Sequence, residues 1–129
     1  VVGSGTRDTL ANTIDLMPTL LDLADVAEPP GVQGRTLAPA MGDRDVAIRD
    51  AVLIENAGVR RSVRTGDALL TWHGAGRRGE LYDLTTDSHC VRNLWDDPAH
   101  AALQKRMIDR LLALMAENVD PLPPRVGAC

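Results

Sequence analysis

The chain has 129 residues, of which 44% are hydrophobic and 25% charged, proportions of a soluble globular domain that exclude disorder throughout and collagen-like repetition. Fourteen Lys and Arg against 18 Asp and Glu leave a net charge of −4, which argues against nucleic acid or an anionic membrane as the main partner. Aromatic residues make up only 2% and Phe is absent, so the core must be aliphatic.

No apolar run approaches the ~20 residues that a membrane span requires. Two cysteines, Cys90 and Cys129, cannot make a multi-bridge secreted framework. The start, Val1-Val2-Gly3-Ser4-Gly5, has neither Met nor the basic and apolar regions of a signal peptide. It reads as a piece of a longer polypeptide, whose compartment (cytoplasm, periplasm or outside) stays unassigned.

The first dozen residues read as a linker. From Asp15 the spacing predicts a helix, with Leu16, Leu20 and Leu23 on one face, Asp15 as N-cap and Pro18 in the first turn. Glu28-Pro29-Pro30-Gly31 stops it. Gly31 to Asp45 is loop-like, with a short helical turn near Leu37 to Met41. Strands follow at Ala51 to Ile54, Val59 to Thr65, Ala68 to His73 and Glu80 to Leu84. Gly66-Asp67 suits a type II′ hairpin. Asp97-Pro98 opens the clearest helix, with Leu103, Met107, Leu111 and Leu114 along one stripe. That stripe is expected to pack on a sheet face carrying Leu70, Trp72, Tyr82 and Leu84, with Trp72 filling the gap between sheet and helix.

Chemistry is sparse. Gly74 to Gly79 matches G-x-G-x-x-G, but a strand follows where a phosphate-binding helix would have to start, so a hairpin loop is the better reading. His73, His89, His100, Cys90 and Cys129 lack the paired short spacings of a structural zinc site. Asp96-Asp97 has the composition of a divalent-cation pair, yet its place before Pro98 is explained by capping. Arg60, Arg61 and Arg64, with Arg77 and Arg78 nearby, form a basic cluster that is either a solvated strand edge or an anion-facing rim. Ser4, Ser62 and Ser88 show no nucleophile elbow.

Four ordered phrases carry a resemblance. Asp15 to Ala24 (D-L-M-P-T-L-L-D-L-A) resembles the helix that follows the catalytic core of sulfatases, and Gly31 to Leu37 is similar to their G-x-x-G-R-S-L segment. Arg61 to Gly66 is similar to their R-x-V-R-T hairpin. Glu80 to Leu84, Asp87 and Asn93-Leu94 match the phrase L-Y-D-L-x-x-D-P-x-E-x-x-N-L. The resemblance runs from about Asn12 to about Pro124. Asp25 stands where a helix-ending Gly is usual, Ala68-Leu69 replaces an aromatic-Lys pair, and Ser88 and Cys90 replace Pro and Glu.

The resemblance to sulfatases, members of the alkaline phosphatase superfamily, implies an α/β fold. Residues 1–45 would be the tail end of the α/β core. Residues 46–129 would be a C-terminal subdomain, a small antiparallel sheet of about four strands packed against a long helix. It implies a parent that hydrolyses sulfate esters, on a small molecule or glycan, with calcium and a formylglycine made in a C/S-x-P-S-R motif. Neither Cys90 nor Cys129 has that context, so no catalytic or metal residue is assigned here and no cofactor is expected on this chain. The expected partner is the N-terminal sulfatase core of the same polypeptide. Arg60, Arg61 and His73 are the candidate residues for the substrate rim. On this reading the chain completes the fold, shapes the substrate entrance and is inactive alone. Alternatives are a segment of a sister phosphomonoester, phosphodiester or phosphonate hydrolase, or a free-standing non-enzymatic interaction module.

Overall fold

The computed structural model describes residues 5–56, 60–74 and 78–118. The described residues up to Ile48 gather into one compact unit and Arg49–Glu117 into a second.

The first unit is built on helix α1, Leu16–Leu23, entered through a 3-10 turn at Thr13–Asp15. Asp15 occupies the N-cap position of α1 but its side chain makes no cap bond there; the capping belongs to the 3-10 turn, where the Asn12 side chain accepts from Thr13 N–H and the Asp15 carboxylate accepts from Asn12 N–H at 2.7 Å. Asp15 is fully buried and caps from inside the turn, because the 3-10 entry moves the helix start upstream. At the other end Asp25 takes a left-handed conformation, φ 54°. Val26 N–H then reaches Leu21 O at 2.9 Å and Asp25 N–H reaches Asp22 O at 3.2 Å, the paired bonds of a Schellman stop. Asp is among the few residues besides Gly that visit this region. A one-and-a-half-turn helix, α2, spans Ala38–Gly42. The opening residues are not a free linker: Arg7 donates to the Ala40 and Met41 carbonyls at 2.8 and 3.1 Å, and Ile48 N–H donates to Thr9 Oγ1 at 2.9 Å.

The second unit is a four-stranded antiparallel meander, β1 Ala51–Asn56, β2 Arg60–Thr65, β3 Ala68–Trp72 and β4 Gly79–Asp83, in the order β1-β2-β3-β4. Val59, the expected start of the second strand, lies outside the described residues. Asp97 caps a 3-10 turn at Pro98–His100 by accepting from Ala99 N–H at 3.0 Å, and helix α3 runs over Ala101–Glu117. The fold is therefore α/β: four antiparallel strands and a long helix, preceded by the helices of the first unit.

The stripe Met107, Leu111 and Leu114 is buried as its spacing predicts, with Leu103 packed beside it. The sheet side of the core differs from expectation. Leu70 pairs with Leu81 across β3 and β4, so those two share a face, and Tyr82, opposite Leu69, lies on the other. The core joins Ala51, Val63, Ala68, Leu70 and Leu81 to the helix, together with Leu94. Leu84 lies past the end of β4 and is not part of it. Trp72 is 40% exposed, and the ring packed against this core is Trp95. The β2–β3 turn is not type II′, because Gly66 lacks the positive φ which that turn demands. Thr65 forms it instead, its hydroxyl donating to Asp67 Oδ1 at 2.6 Å and accepting from Ala68 N–H at 3.1 Å.

Candidate functional site

The polar residues of the second unit fall into two groups. The first builds the connection from β4 to α3. β4 is an edge strand, and its open backbone groups are met by one side chain: Asn93 Oδ1 accepts from Leu81 N–H at 3.0 Å, and its amide donates to Gly79 O at 3.2 Å. Leu94 N–H continues the mimicry by donating to Leu81 O at 2.8 Å. Asp83 accepts from the Thr85 N–H and hydroxyl, and Asp87 from Arg92 N–H at 2.8 Å. The phrase from Leu81 to Leu94 that carries the sulfatase likeness is thus a folded turn in which Asp83, Asp87 and Asn93 hold backbone. Cys90 sits in it with φ 55°, half-buried and free.

These bonds make the turn acid-sensitive. The Arg92 and Val91 N–H groups hold the Asp87 carboxyl below the usual carboxylate range, and the Thr85 hydroxyl and N–H do the same for Asp83. A carboxyl with a depressed folded-state pKa contributes stability that is present in full above its unfolded value, about 4, and is lost as pH falls through the folded value. The turn is expected to loosen below about pH 4. Asp87→Asn should flatten that dependence, followed by the fluorescence of Trp95, whose ring lies over Gly79.

The second group lies on the sheet face opposite the core. His73 Nε2 is 3.0 Å from Glu80 Oε1, and the Tyr82 hydroxyl donates to Glu80 Oε2 at 3.2 Å. Partial burial and then this carboxylate push the Tyr82 phenol above its ordinary pKa. Ser62 and Thr71 share a 2.9 Å hydrogen bond on the same face. The register that pairs Arg61 with Trp72 makes Arg60 and His73 the next positions on their strands, both on this face. Arg61 is on the core face, at the end of the sheet, where its Nε forms a 2.7 Å ion pair with Glu55 without an aligned N–H. The structure therefore brings together two of the three rim candidates and separates the third. Glu80 was missed by sequence reasoning. Its signal was strand alternation, which places it beside His73 only once the hairpin register is known.

The remaining candidates have structural roles or fall outside the description. Of the Gly74–Gly79 string, positions 75–77 are outside the described residues, and Gly79 opens strand β4, not a helix. Cys129, too, lies outside them. Asp97 caps the 3-10 turn and forms a 3.2 Å ion pair with Arg92. Among the described residues no three His, Cys, Asp or Glu side chains gather so as to hold a metal ion, so these residues do not fit the calcium implied by the resemblance. Cys90 continues as Val91-Arg92, which does not fit a formylglycine precursor either. No described helix is long and apolar enough to cross a membrane.

The sulfatase-like phrases and this fold converge in comparison with known proteins. The family model for N-sulphoglucosamine sulphohydrolase, C-terminal, matches residues 1–117. The chain belongs to this sulfatase C-terminal family. It is 32% identical over 120 residues to the uncharacterized sulfatase YidJ of Escherichia coli, a match covering 88% of this chain and 24% of that protein. A putative sulfatase from Bacteroides thetaiotaomicron superposes with a TM-score of 0.70 at 28% identity, over 82% of this chain and 25% of that one. The phosphonate monoester hydrolase of Silicibacter pomeroyi shares the fold, with a TM-score of 0.74 at 24% identity over 88% and 26%. The chain spans about a quarter of these proteins, and 61% of a Haemophilus influenzae relative that is 31% identical.

Proposed function

We propose that this sulfatase C-terminal chain is part of a sulfuric ester hydrolase, in which it completes the fold and shapes the substrate entrance, and that it hydrolyses nothing alone. The observation that carries the reading is the family match over residues 1–117. The described residues supply polar groups that hold backbone, together with the face bearing Arg60, His73, Glu80 and Tyr82. Calcium and formylglycine chemistry would come from the rest of the polypeptide, and no step is assigned to them here.

The purified chain should release no 4-nitrophenol from its sulfate ester. The enzyme that contains this segment should cleave that ester faster than a phosphonate monoester. Turnover by the chain alone would overturn the first part, and a preference for phosphonate the second. The phosphonate alternative stays in the comparison because the Silicibacter pomeroyi hydrolase shares the fold.

At the rim, Arg60 offers a guanidinium for a charged substrate group, and His73 is held by Glu80. In the assembled enzyme, Arg60→Ala with His73→Ala should lower kcat/KM about tenfold on a sulfated disaccharide and less than about twofold on the small aryl ester. Steady-state kinetics on both substrates check this, and equal losses would refute the rim. Arg61, paired with Glu55 on the other face, is the internal comparison.

A further inference from the structure

Arginines elsewhere in the second unit come with carboxylates: Arg61 with Glu55 at 2.7 Å, Arg106 with Asp67 at 2.6 Å and Arg110 with Asp50 at 2.7 Å. The sheet face away from the core differs. Arg60 and Arg64 on β2, and Arg78 just before β4, are exposed and pair with no carboxylate among the described residues. The carboxylate that the strands carry on that face is Glu80, and both its oxygens are engaged, Oε1 by His73 Nε2 and Oε2 by the Tyr82 hydroxyl. A chain with a net charge of −4 thus keeps a surplus of positive charge on one face of its sheet.

The register gives that surplus a shape. Asn56 pairs with Arg60, and the pairing of Arg61 with Trp72 sets Arg60 opposite His73. His73 N–H donates to Arg78 O at 3.1 Å, which carries the β3–β4 ladder one residue past the pair of Trp72 and Gly79. Asn56, Arg60, His73 and Arg78 therefore form one row across the end of the sheet. Neighbouring strands lie about 4.8 Å apart, so the backbones of Arg60 and Arg78 are about 10 Å apart, with His73 between them. The His73 ring turns to Glu80 in the next row, and two guanidiniums on long stems can close over it from either side. At that separation salt screens their repulsion only in part, and an anion between them removes it while gaining charge-assisted bonds from both forks.

Resting on the reading of this face as a substrate rim, we infer that the row is a binding site for an oxyanion that a saccharide substrate carries besides the ester to be cleaved, either a second sulfate or a sugar carboxylate. Arg60 and Arg78 grip the oxyanion, since a guanidinium meets two oxygens at once and gives up its water more readily than an ammonium. Asn56, exposed at the end of the row opposite Arg60, offers an amide donor for a sugar hydroxyl or a remaining oxygen. Glu80 does not compete for the arginines, because His73 and Tyr82 hold it.

The test is calorimetric titration of the 129-residue chain with sucrose octasulfate, whose anionic groups are all sulfates, and with trigalacturonate, whose anionic groups are all carboxylates. Arg60→Ala with Arg78→Ala is expected to weaken binding of at least one of them about tenfold or more, and each single change about threefold. Arg60→Lys with Arg78→Lys, which keeps the charge and loses the forks, should fall between the parent and the alanine pair. Arg106→Ala removes a positive charge from α3 and should change the affinity less than about twofold, which separates the row from net charge. Circular dichroism of all variants should match the parent. A loss with the octasulfate alone assigns the row to sulfate, with trigalacturonate alone to carboxylate, and with both to either oxyanion; each supports the site. Equal affinity of parent and alanine pair, an equal loss in Arg106→Ala, or binding of neither saccharide at millimolar concentration would overturn it. Ester turnover enters none of these readouts, so the hydrolase reading stands or falls separately.

Discussion

Leu81→Ala is expected to lower the unfolding free energy by about 2–5 kcal/mol, the range for truncating a fully buried leucine where the site cannot collapse. Leu81 is 0% exposed and belongs to the cluster that holds Val63, Leu70, Met107, Leu111 and Leu114. Its backbone is fixed on both sides as well, by Leu70 opposite and by the Asn93 and Leu94 bonds, so little relaxation is available. Tyr82→Ala, one residue along, removes a larger side chain from the other face and should cost clearly less, about 1 kcal/mol for the hydrogen bond to Glu80 and partial burial. Leu111→Ala should resemble Leu81→Ala, because both leave a hole in the same cluster. Urea unfolding of the three variants orders them. A larger loss for Tyr82→Ala than for Leu81→Ala would mean that the strand faces the helix with the other set of side chains.

That ordering marks where the sequence was legible. Strand and helix positions could be read because alternation and helical spacing are local, and Asp97-Pro98 does open the helical segment, as the 3-10 turn that leads into α3 at Ala101. The face of β4 could not. In Glu80-Leu81-Tyr82-Asp83-Leu84 both parities carry large apolar groups, and a one-residue choice flips the whole set. Trp95, twelve residues beyond the strand, packs against the face that is buried. Its ring lies where a Cβ on Gly79 would be, 2.6 Å from Cη2 and nearer still to two other ring atoms. The last glycine of the G-x-G-x-x-G string is thus needed for packing a ring. The same limit applies to the rim candidates: Arg60 and Arg61 are neighbours along the chain, and the pleat sends Arg61 to the face opposite Arg60 and His73.

The other large effect expected is at Asp15. Asp15→Ala removes a fully buried carboxylate that accepts from Asn12 N–H at 2.7 Å and from Arg35 N–H, twenty residues later, at 2.9 Å. Each donor left without a partner costs about 1–3 kcal/mol, so with two donors the first unit should lose about 2–6 kcal/mol. The damage spreads along a stitched seam. The Thr19 hydroxyl donates to Asp15 O at 2.5 Å and takes Leu37 N–H, so a turn that opens at Asp15 also frees Leu37. Gly34 tightens the same seam: a Cβ there would stand 2.9 Å from Pro18 Cγ and closer still to the Ile14 carbonyl, so no other residue lets the strand of chain approach. Two phrases that look independent in the sequence, D-L-M-P-T-L and G-R-T-L, are therefore one device in space. Hydrogen exchange should show it, with the Arg35 and Leu37 amides losing protection together in Asp15→Ala while those of Leu70 and Leu81 in the second unit keep theirs. Asp15→Asn should do nearly as much harm, because an amide offers one oxygen where two N–H groups point at two. Undiminished protection at Arg35 in Asp15→Ala would show that another group holds the seam.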